Sequence, residues 1–380
     1  MENTIYINGS GSISALGTDK NSVIDSYIQP HNTFLLDAKT EVPVSQISND
    51  AEKQLTKLRQ EDQRYKKLDR SVLLAILAAR QCVKSAGWQD GEYGINIGSS
   101  RGATGLFENY YQDFLNNQRL HPLTSPTTTL GNIASWVGQD LHQSGICFSH
   151  SITCSTALHA VLNGIAWLSS GMSNRFLIGG SEAPLTPFTI SQMQAAKLYS
   201  KQSIDNACQS LNFDKTENTL VLGEAAAVFA LSHTADHAIA KITGYGFASE
   251  RITNHAAISA DAKCFQDSMQ AALQKAGKAS VDVIVMHAAG TVKGDQAEYE
   301  AIKKTFTELP VLTTNKWKIG HSFGASGAMS LEMALFMLEE QKAFQNPYYG
   351  STPEISEITS IMVNSVGFGG NAVSIILERM

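Results

Sequence analysis

No stretch of this 380-residue chain reaches the ~18–20 consecutive apolar residues that a membrane-spanning helix needs; its longest apolar runs are broken by Gly, Ser or charge. The N-terminus, Met1 to Leu16, has no charged segment leading into an apolar one, so a secretory signal is not predicted. Cysteine is scarce and odd in number: Cys82, Cys147, Cys154, Cys208 and Cys264 are scattered, with no CxxC pair. That spacing excludes a disulfide framework and a structural zinc or other metal site, and predicts a cytoplasmic protein with reduced thiols. A basic excess is also missing, with 29 Lys and Arg against 35 Asp and Glu. The formal charge of -6 gives no global pull toward nucleic acid or an anionic membrane. Only nine prolines occur, and no low-complexity tract or linker divides the chain.

What is present is an ordinary globular composition, 43% hydrophobic and 17% charged, long enough to bury a core without staples. Short aliphatic or β-branched runs at 4–9, 94–98, 176–180, 226–232, 281–286 and 360–364 read as buried strands. Between them, residues 67–86, 155–170, 263–276, 295–306 and 324–340 have helical spacing and length. The alternation predicts an α/β fold with helices on both faces of mixed sheets. A strand, a reactive-looking turn and a buried helix occur around Cys154, and strands, His-containing turns and helices recur around His287 and His321. This faint echo places a half-boundary near 232–239.

The strongest chemical signal is Ile152-Thr153-Cys154-Ser155-Thr156-Ala157, a β-like approach turning into an apolar helix. A thiol at a helix N-terminus meets the positive end of the macrodipole and free N–H groups. Such placement is expected to lower a thiol pKa from about 8.5 to roughly 3.5–7.5. The alternative is a cysteine that only fills core space, the reading given to the other four. His287 ends an apolar strand and opens the turn Ala288-Ala289-Gly290-Thr291, while His321 sits in Gly320-His321-Ser322-Phe323-Gly324-Ala325. A polar ring in either place needs partners, in a functional or a structural role. His159 reads as a packed core histidine, and His121, His142, His150, His233, His237 and His255 as surface. Near the C-terminus, Gly367-Phe368-Gly369-Gly370 suits a turn that approaches a ligand closely, or a tight β-turn with an anchoring aromatic.

In their order along the chain these motifs become specific. Cys154 at its elbow is followed by Gly179-Gly180-Ser181-Glu182-Ala183, Asn212-Phe213-Asp214 and Leu222-Gly223-Glu224-Ala225. The His287 turn, Lys316 with Gly320-His321, and the Gly-Phe-Gly-Gly loop complete the series. The set resembles the β-ketoacyl-[acyl carrier protein] synthases, elongating condensing enzymes of the thiolase-fold superfamily, over essentially the whole chain. The resemblance implies two similar αβ halves, 1–232 carrying the nucleophile and 233–380 carrying two catalytic histidines, in a five-layered α-β-α-β-α core. It implies Cys154 as acyl acceptor, His287 and His321 as catalytic histidines, and Lys316 as the active-site lysine. Phe368 matches the gating aromatic, whose N–H would share an oxyanion hole with that of Cys154. Thr291 matches a ligand of the phosphopantetheine arm, and Asp295 and Glu298 an acidic signature supporting the site.

The family's His-Gly-Thr-Gly-Thr here reads His287-Ala288-Ala289-Gly290-Thr291, so one arm contact, Ala289, is changed. With a short chain, this points to a specialised synthase of polyketide or aryl polyene type, or else of fatty-acid elongation. The implied reaction is decarboxylative Claisen condensation of a Cys-bound acyl group with malonyl-acyl carrier protein, with no metal or redox cofactor. The implied partners are an acyl carrier protein and a second subunit, either a copy of this chain or a related ketosynthase or chain-length factor. Carrier proteins are acidic, and Arg64, Lys66, Lys67 and Arg70 form the densest basic cluster for docking one. A non-catalytic chain-length factor is the alternative from another class. A thiolase fits less well, because no cysteine follows Cys264.

Overall fold

The computed structural model describes residues 4–130, 132–251, 258–350 and 355–380; His255 lies outside them. Among the described residues ten strands form one sheet, and they are numbered in chain order. The first five are β1 (Ile5–Ile13), β2 (Gly94–Gly98), β3 (Cys147–Phe148), β4 (Arg175–Glu182) and β5 (Ala225–Ser232). The second five are β6 (Ala240–Ser249), β7 (Val283–Val285), β8 (Val311–Thr313), β9 (Ser360–Gly367) and β10 (Asn371–Glu378). Their spatial order is β8-β7-β9-β10-β6-β1-β5-β4-β2-β3.

That order contains the same pattern twice. The first five strands lie as 1-5-4-2-3 and the second five as 6-10-9-7-8. In each set the first two pairings are antiparallel and the last two parallel. The sets join through a short antiparallel contact between β1 and β6, Ile5↔Ile242 to Ile7↔Ala240.

Side-chain alternation sorts the strands into layers. Along β5, Ala225, Ala227, Phe229 and Leu231 face a central apolar cluster, whereas Ala226, Val228 and Ala230 face an outer one. Along β10, Val373, Ile375 and Leu377 face the same central cluster, and Ala372 and Ile376 a third. With a period of two, both faces of each sheet half are therefore buried. Helix α1 (Arg70–Ala86) covers the first outer face and α3 (Lys263–Ala276) the second, together with α4 (Val292–Thr305). Helices α2 (Thr156–Ser169) and α5 (Ser326–Glu340) supply the central layer. Every residue of α5 from Ser326 to Leu338 is buried, as a helix apolar on all sides must be. The arrangement is the five-layered α-β-α-β-α core that the resemblance implied.

Several helices start where a cap allows rather than where apolar periodicity does. Asp69 accepts from Ser71 N–H and begins α1 after a 3-10 turn at Tyr65–Lys67. The short turn Phe323–Ala325 likewise delays α5. Helix α4 begins after Thr291, earlier than expected, with Asp295 in its first turn accepting from Thr291 N–H, and β9 runs on to Gly367 because its pairing with β10 continues to Asn371.

The repeat also has a signature at the level of single atoms. In β1, Ile7-Asn8-Gly9-Ser10-Gly11 lies against α1, and in β6, Ile242-Thr243-Gly244-Tyr245-Gly246 lies against α3. A Cβ on Gly11 would sit 2.3 Å from Ala78 O, and one on Gly246 would sit 2.1 Å from Ser268 O. Both helices thus approach their strands to backbone contact, which only glycine permits. Gly246→Ala is expected to destabilise the protein by about 1–3 kcal/mol through overpacking. Urea unfolding checks this against Gly171→Ala, whose position has open space around it but a φ of +71°.

Candidate active site

Cys154 lies just before α2, at an elbow whose sharp turn is made by Thr153 at a φ of +46°. Left-handed backbone at a β-branched residue is strained, and three contacts hold it. Thr156 Oγ1 donates to Thr153 O at 2.6 Å and accepts from Ile152 N–H at 2.8 Å, while Ser155 N–H donates to Ile152 O at 3.2 Å. From the second half, Ser365 Oγ donates to Cys154 O at 3.1 Å. Gly367 fits so closely that a Cβ there would lie 1.9 Å from Thr153 Oγ1 and 3.2 Å from Cys154 N. The next residue, Phe368, is 42% exposed and lines the mouth of a cavity of about 1470 Å³. Cys154, His287, His321, Thr291, Glu298, Phe323 and Ala289 line the same cavity.

The imidazole rings of His287 and His321 stand edge to face with centroids 5.3 Å apart, and Phe323 packs on His321 at 5.5 Å. Two buried carboxylates form the turn that carries His287. Glu298 accepts from His287 N–H and Ala288 N–H, each at 2.9 Å. Asp295 accepts from Gly290 N–H and Thr291 N–H, each at 3.1 Å, and pairs with Lys215 at 2.8 Å. Ala288 holds a φ of +21° where the resembling motif has glycine, so Glu298 secures a conformation that the side chain opposes. His321 is fixed by a different device: its N–H donates to Val221 O at 2.7 Å, and its carbonyl accepts from Gly223 N–H at 3.2 Å. Gly320, with a φ of +67°, lets the two chains approach. His321 Nδ1 is a buried ring nitrogen with no partner among the described residues.

Burial dominates the electrostatics. The Cys154 thiol is pushed up to about 12 by desolvation and by the charge of Glu182, against the opposing pull of Lys316. This reverses the expectation of a thiolate favoured by the helix N-terminus: Cys154 is 6% exposed, and loss of water outweighs the dipole. His287 falls to about 3 through desolvation and the nearby Lys316, and His321 falls well below its ordinary value for the same first reason. Both imidazoles are therefore neutral at pH 7. Lys316 is lowered to about 8 by burial, and its ammonium donates to Asn315 Oδ1 at 2.9 Å and Ser330 Oγ at 3.2 Å.

The basic cluster is placed differently. Arg70 donates to Glu224 at 2.7 and 2.8 Å and to Glu52 at 2.5 and 3.2 Å, which makes it an internal brace rather than a docking contact. Arg64 is exposed and paired with Asp62 at 2.6 Å, and Lys66 and Lys67 are exposed. None of the four lines the cavity; the lysines that do are Lys197, Lys201 and Lys293. His150 is half-buried rather than a surface residue. Its Nε2 lies 3.1 Å from Thr156 O, and it braces the helix behind Cys154. His159 is half-buried as well, with Nδ1 3.0 Å from Ser155 O. Glu182 stands in one of the sequence motifs, where it is given no role; its signal is a charge at the end of the apolar run 176–180.

Below pH 6.5 a histidine in the unfolded chain takes up a proton that His287 refuses until about 3, so acidification over that interval favours unfolding. The effect is about 1.4 kcal/mol per pH unit for each such histidine. Thermal melts of His287→Gln should therefore fall less steeply than wild type between pH 6.5 and 4.5. The buried Glu182 and Glu298, both raised to about 7, act in the opposite sense and do so in both proteins.

Comparison with known proteins gives matches over the whole chain. Residues 9–237 match the family described as "Beta-ketoacyl synthase, N-terminal domain", and residues 239–348 match "Beta-ketoacyl synthase, C-terminal domain". The chain is 25% identical over 411 aligned residues to the "3-oxoacyl-[acyl-carrier-protein] synthase 2" of Staphylococcus aureus, covering 99% of this chain and 98% of that one. In structure it resembles "the ishigamide ketosynthase/chain length factor" with a TM-score of 0.86 at 19% identity, over 100% of both chains. It also resembles a type II polyketide ketosynthase solved in complex with its acyl-carrier protein and bound to the hexaketide, with a TM-score of 0.85 at 17% identity over 100% of both chains. No helix among the described residues is long and apolar enough to cross a membrane.

Proposed function

This chain belongs to the β-ketoacyl synthase family of condensing enzymes, and on that premise we propose that it elongates carrier-bound acyl chains by decarboxylative condensation, with Cys154, His287 and His321 carrying the chemistry. The observation that bears the most weight is two neutral imidazoles, 5.3 Å apart, in one cavity with the thiol. A further support is that the S. aureus relative is named as a synthase acting on acyl carrier protein.

The residues account for each step. An acyl thioester on a phosphopantetheine arm enters beside Thr291. The Cys154 sulfur attacks its carbonyl carbon and gives up its proton to a neutral imidazole, since burial keeps the resting thiol protonated. The N–H groups of Cys154 and Phe368 receive the oxyanion, and Gly367 holds that second peptide close against the elbow. The carrier thiol leaves with the proton. A malonyl thioester then binds with its carbonyl oxygen at the two histidines. Loss of CO₂ puts negative charge on that oxygen, where neutral imidazole N–H donors stabilise it. The carbanion attacks the acyl-Cys154 carbonyl and expels the sulfur as a thiolate, which takes up one proton from solvent. The products are a β-ketoacyl thioester and CO₂. Burial keeps both imidazoles neutral, and the positive charge of Lys316 acts in the same direction. No metal or redox cofactor enters this scheme, and the five free cysteines fit a reducing, cytoplasmic setting.

The carrier docks, in this reading, at the cavity mouth bordered by the exposed Lys197, Lys201 and Lys293 rather than at Arg64 to Arg70. A second subunit is also expected, as in the ketosynthase/chain length factor neighbour. Intact-mass spectrometry after incubation with acyl-carrier thioesters of several lengths tests the covalent step. An adduct present in the wild type and absent in Cys154→Ala is expected, and the length giving the most adduct names the substrate. No adduct, even after candidate partner subunits are added, would instead assign a chain-length-factor role. His321→Ala should still acylate while condensing about 10²–10³-fold more slowly, the loss typical of removing an oxyanion donor. Lys293→Glu should raise KM for the carrier several-fold at low salt, with kcat within about twofold of wild type.

A further inference from the structure

Glu182 closes β4 and is wholly buried, yet its carboxylate has no ion-pair partner among the described residues. It accepts four hydrogen bonds from two separate turns. Oε1 takes Ser99 Oγ at 2.8 Å and Arg101 N–H at 3.1 Å; Oε2 takes Ser100 N–H at 2.7 Å and Gly324 N–H at 2.9 Å. Gly324 belongs to the other half of the chain and lies three residues beyond His321, next to Phe323 with its φ of +38°. The fit there leaves no slack: a Cβ on Gly324 would stand 2.4 Å from Ser100 N and 2.7 Å from the Glu182 carboxylate. Nearby, a Cβ on Gly180 would stand 2.7 Å from Gly324 O and 3.0 Å from Ala157 Cβ, so this strand end touches both the His321 turn and the helix behind Cys154.

We propose that Glu182 is a positioning residue for the reaction, one buried carboxylate that seats the His321–Gly324 turn against the nucleophile's elbow and places a negative charge behind it. A hydrocarbon side chain would leave three N–H groups without acceptors, so a polar group is required here. A full negative charge is not required for hydrogen bonding alone. It costs desolvation, seen in the rise of Glu182 itself to about 7, and it also disfavours the thiolate. Charged or titratable groups on the segments packed around it include Cys154, His321, Lys316, Arg101, Asp69, Arg70, His159 and, beside its partner on the neighbouring strand, Glu224. Arg101 turns its guanidinium away, to Gln192 and over the Phe323 ring. Lys316 favours the thiolate and Glu182 opposes it, both acting on a thiol that burial already holds protonated. The consequence is a nucleophile kept as a thiol, and so protected from adventitious acylation and oxidation, until a thioester and an imidazole are both in place.

Two variants of the full chain separate charge from reach. In Glu182→Gln the amide oxygen still accepts from Ser100 and Gly324 while the charge is gone. The pH midpoint of Cys154 alkylation by iodoacetamide, followed on the Cys154 peptide, should fall by about one unit, giving about tenfold faster labelling at neutral pH. In Glu182→Asp the charge stays but cannot reach both turns, so condensation kcat should fall about tenfold with KM within about twofold and the alkylation midpoint unmoved. A wild-type midpoint in Glu182→Gln overturns the charge role, and a wild-type kcat in Glu182→Asp overturns the seating role. Should the first variant fail to fold, the second still decides. The proposal rests on Cys154 being the acyl acceptor. Alkylation needs neither carrier nor condensation, so a wild-type protein that accepts no acyl group sinks that reading without deciding the Glu182→Gln shift.

Discussion

The approach of Gly367 to the Thr153–Cys154 backbone is the contact on which the rest of the site depends. It brings the loop bearing Phe368 from the second half within van der Waals distance of a left-handed turn in the first, with no room for a methyl group. A reciprocal contact, Gly180 and Glu182 against Gly324, fastens the turn that carries His321 to the first half. Each half therefore supplies the backing for the other's reactive turn. The histidines can face the thiol only because two backbone surfaces meet without side chains between them. Such crossings transmit position faithfully, since a close-packed interior does not deform continuously.

Around that crossing lies a set of ionisable groups from which water has been removed: Cys154, His287, His321, Lys316, Glu182 and Glu298 are all buried. Each is moved by desolvation toward its uncharged form. A site whose thiol and imidazoles rest uncharged suits a reaction that creates charge transiently, first on a tetrahedral oxygen and then on an enolate. Fixed N–H donors in a dry cavity stabilise such charge without reorganising. The stability cost of keeping these groups from water is offset by three separate apolar clusters that sandwich both halves of the sheet.

Much of this was legible in the order of residues. The strand–helix alternation, the elbow at Cys154 and the two histidine turns are local patterns, set by apolar periodicity and small residues over a dozen positions or fewer. Cap geometry was less legible: Thr291 starts α4 where periodicity alone pointed to 295. Charge state was misread, because a helix N-terminus is visible in sequence whereas the burial that overrides it is not. Arg70 counted as a surface cation until Glu224, 154 residues away, proved to hold it. Glu182 stood in a motif but had no legible role for a related reason, since its donors come from 99–101 and from 324. The Ile-x-Gly-x-Gly run shared by β1 and β6 was in plain view, yet two short glycine pairs carry no weight until both are seen under a helix.

The strand order has a consequence for synthesis on the ribosome. β1 is made first, but its neighbours are β5, which ends at residue 232, and β6, which begins at 240. For most of the first half's translation, the strand that will lie at the centre of the sheet has neither flank to pair with, while β2, β3 and β4 can already associate. The second half repeats the delay, because β6 waits for β10 at the very end of the chain. Pairings of such long sequence separation close slowly and leave unpaired edges exposed meanwhile. The nascent chain is thus committed to shielding an incompletely paired central strand through each of two waiting periods, first β1 and then β6, and its dependence on chaperones should track elongation rate more than final stability.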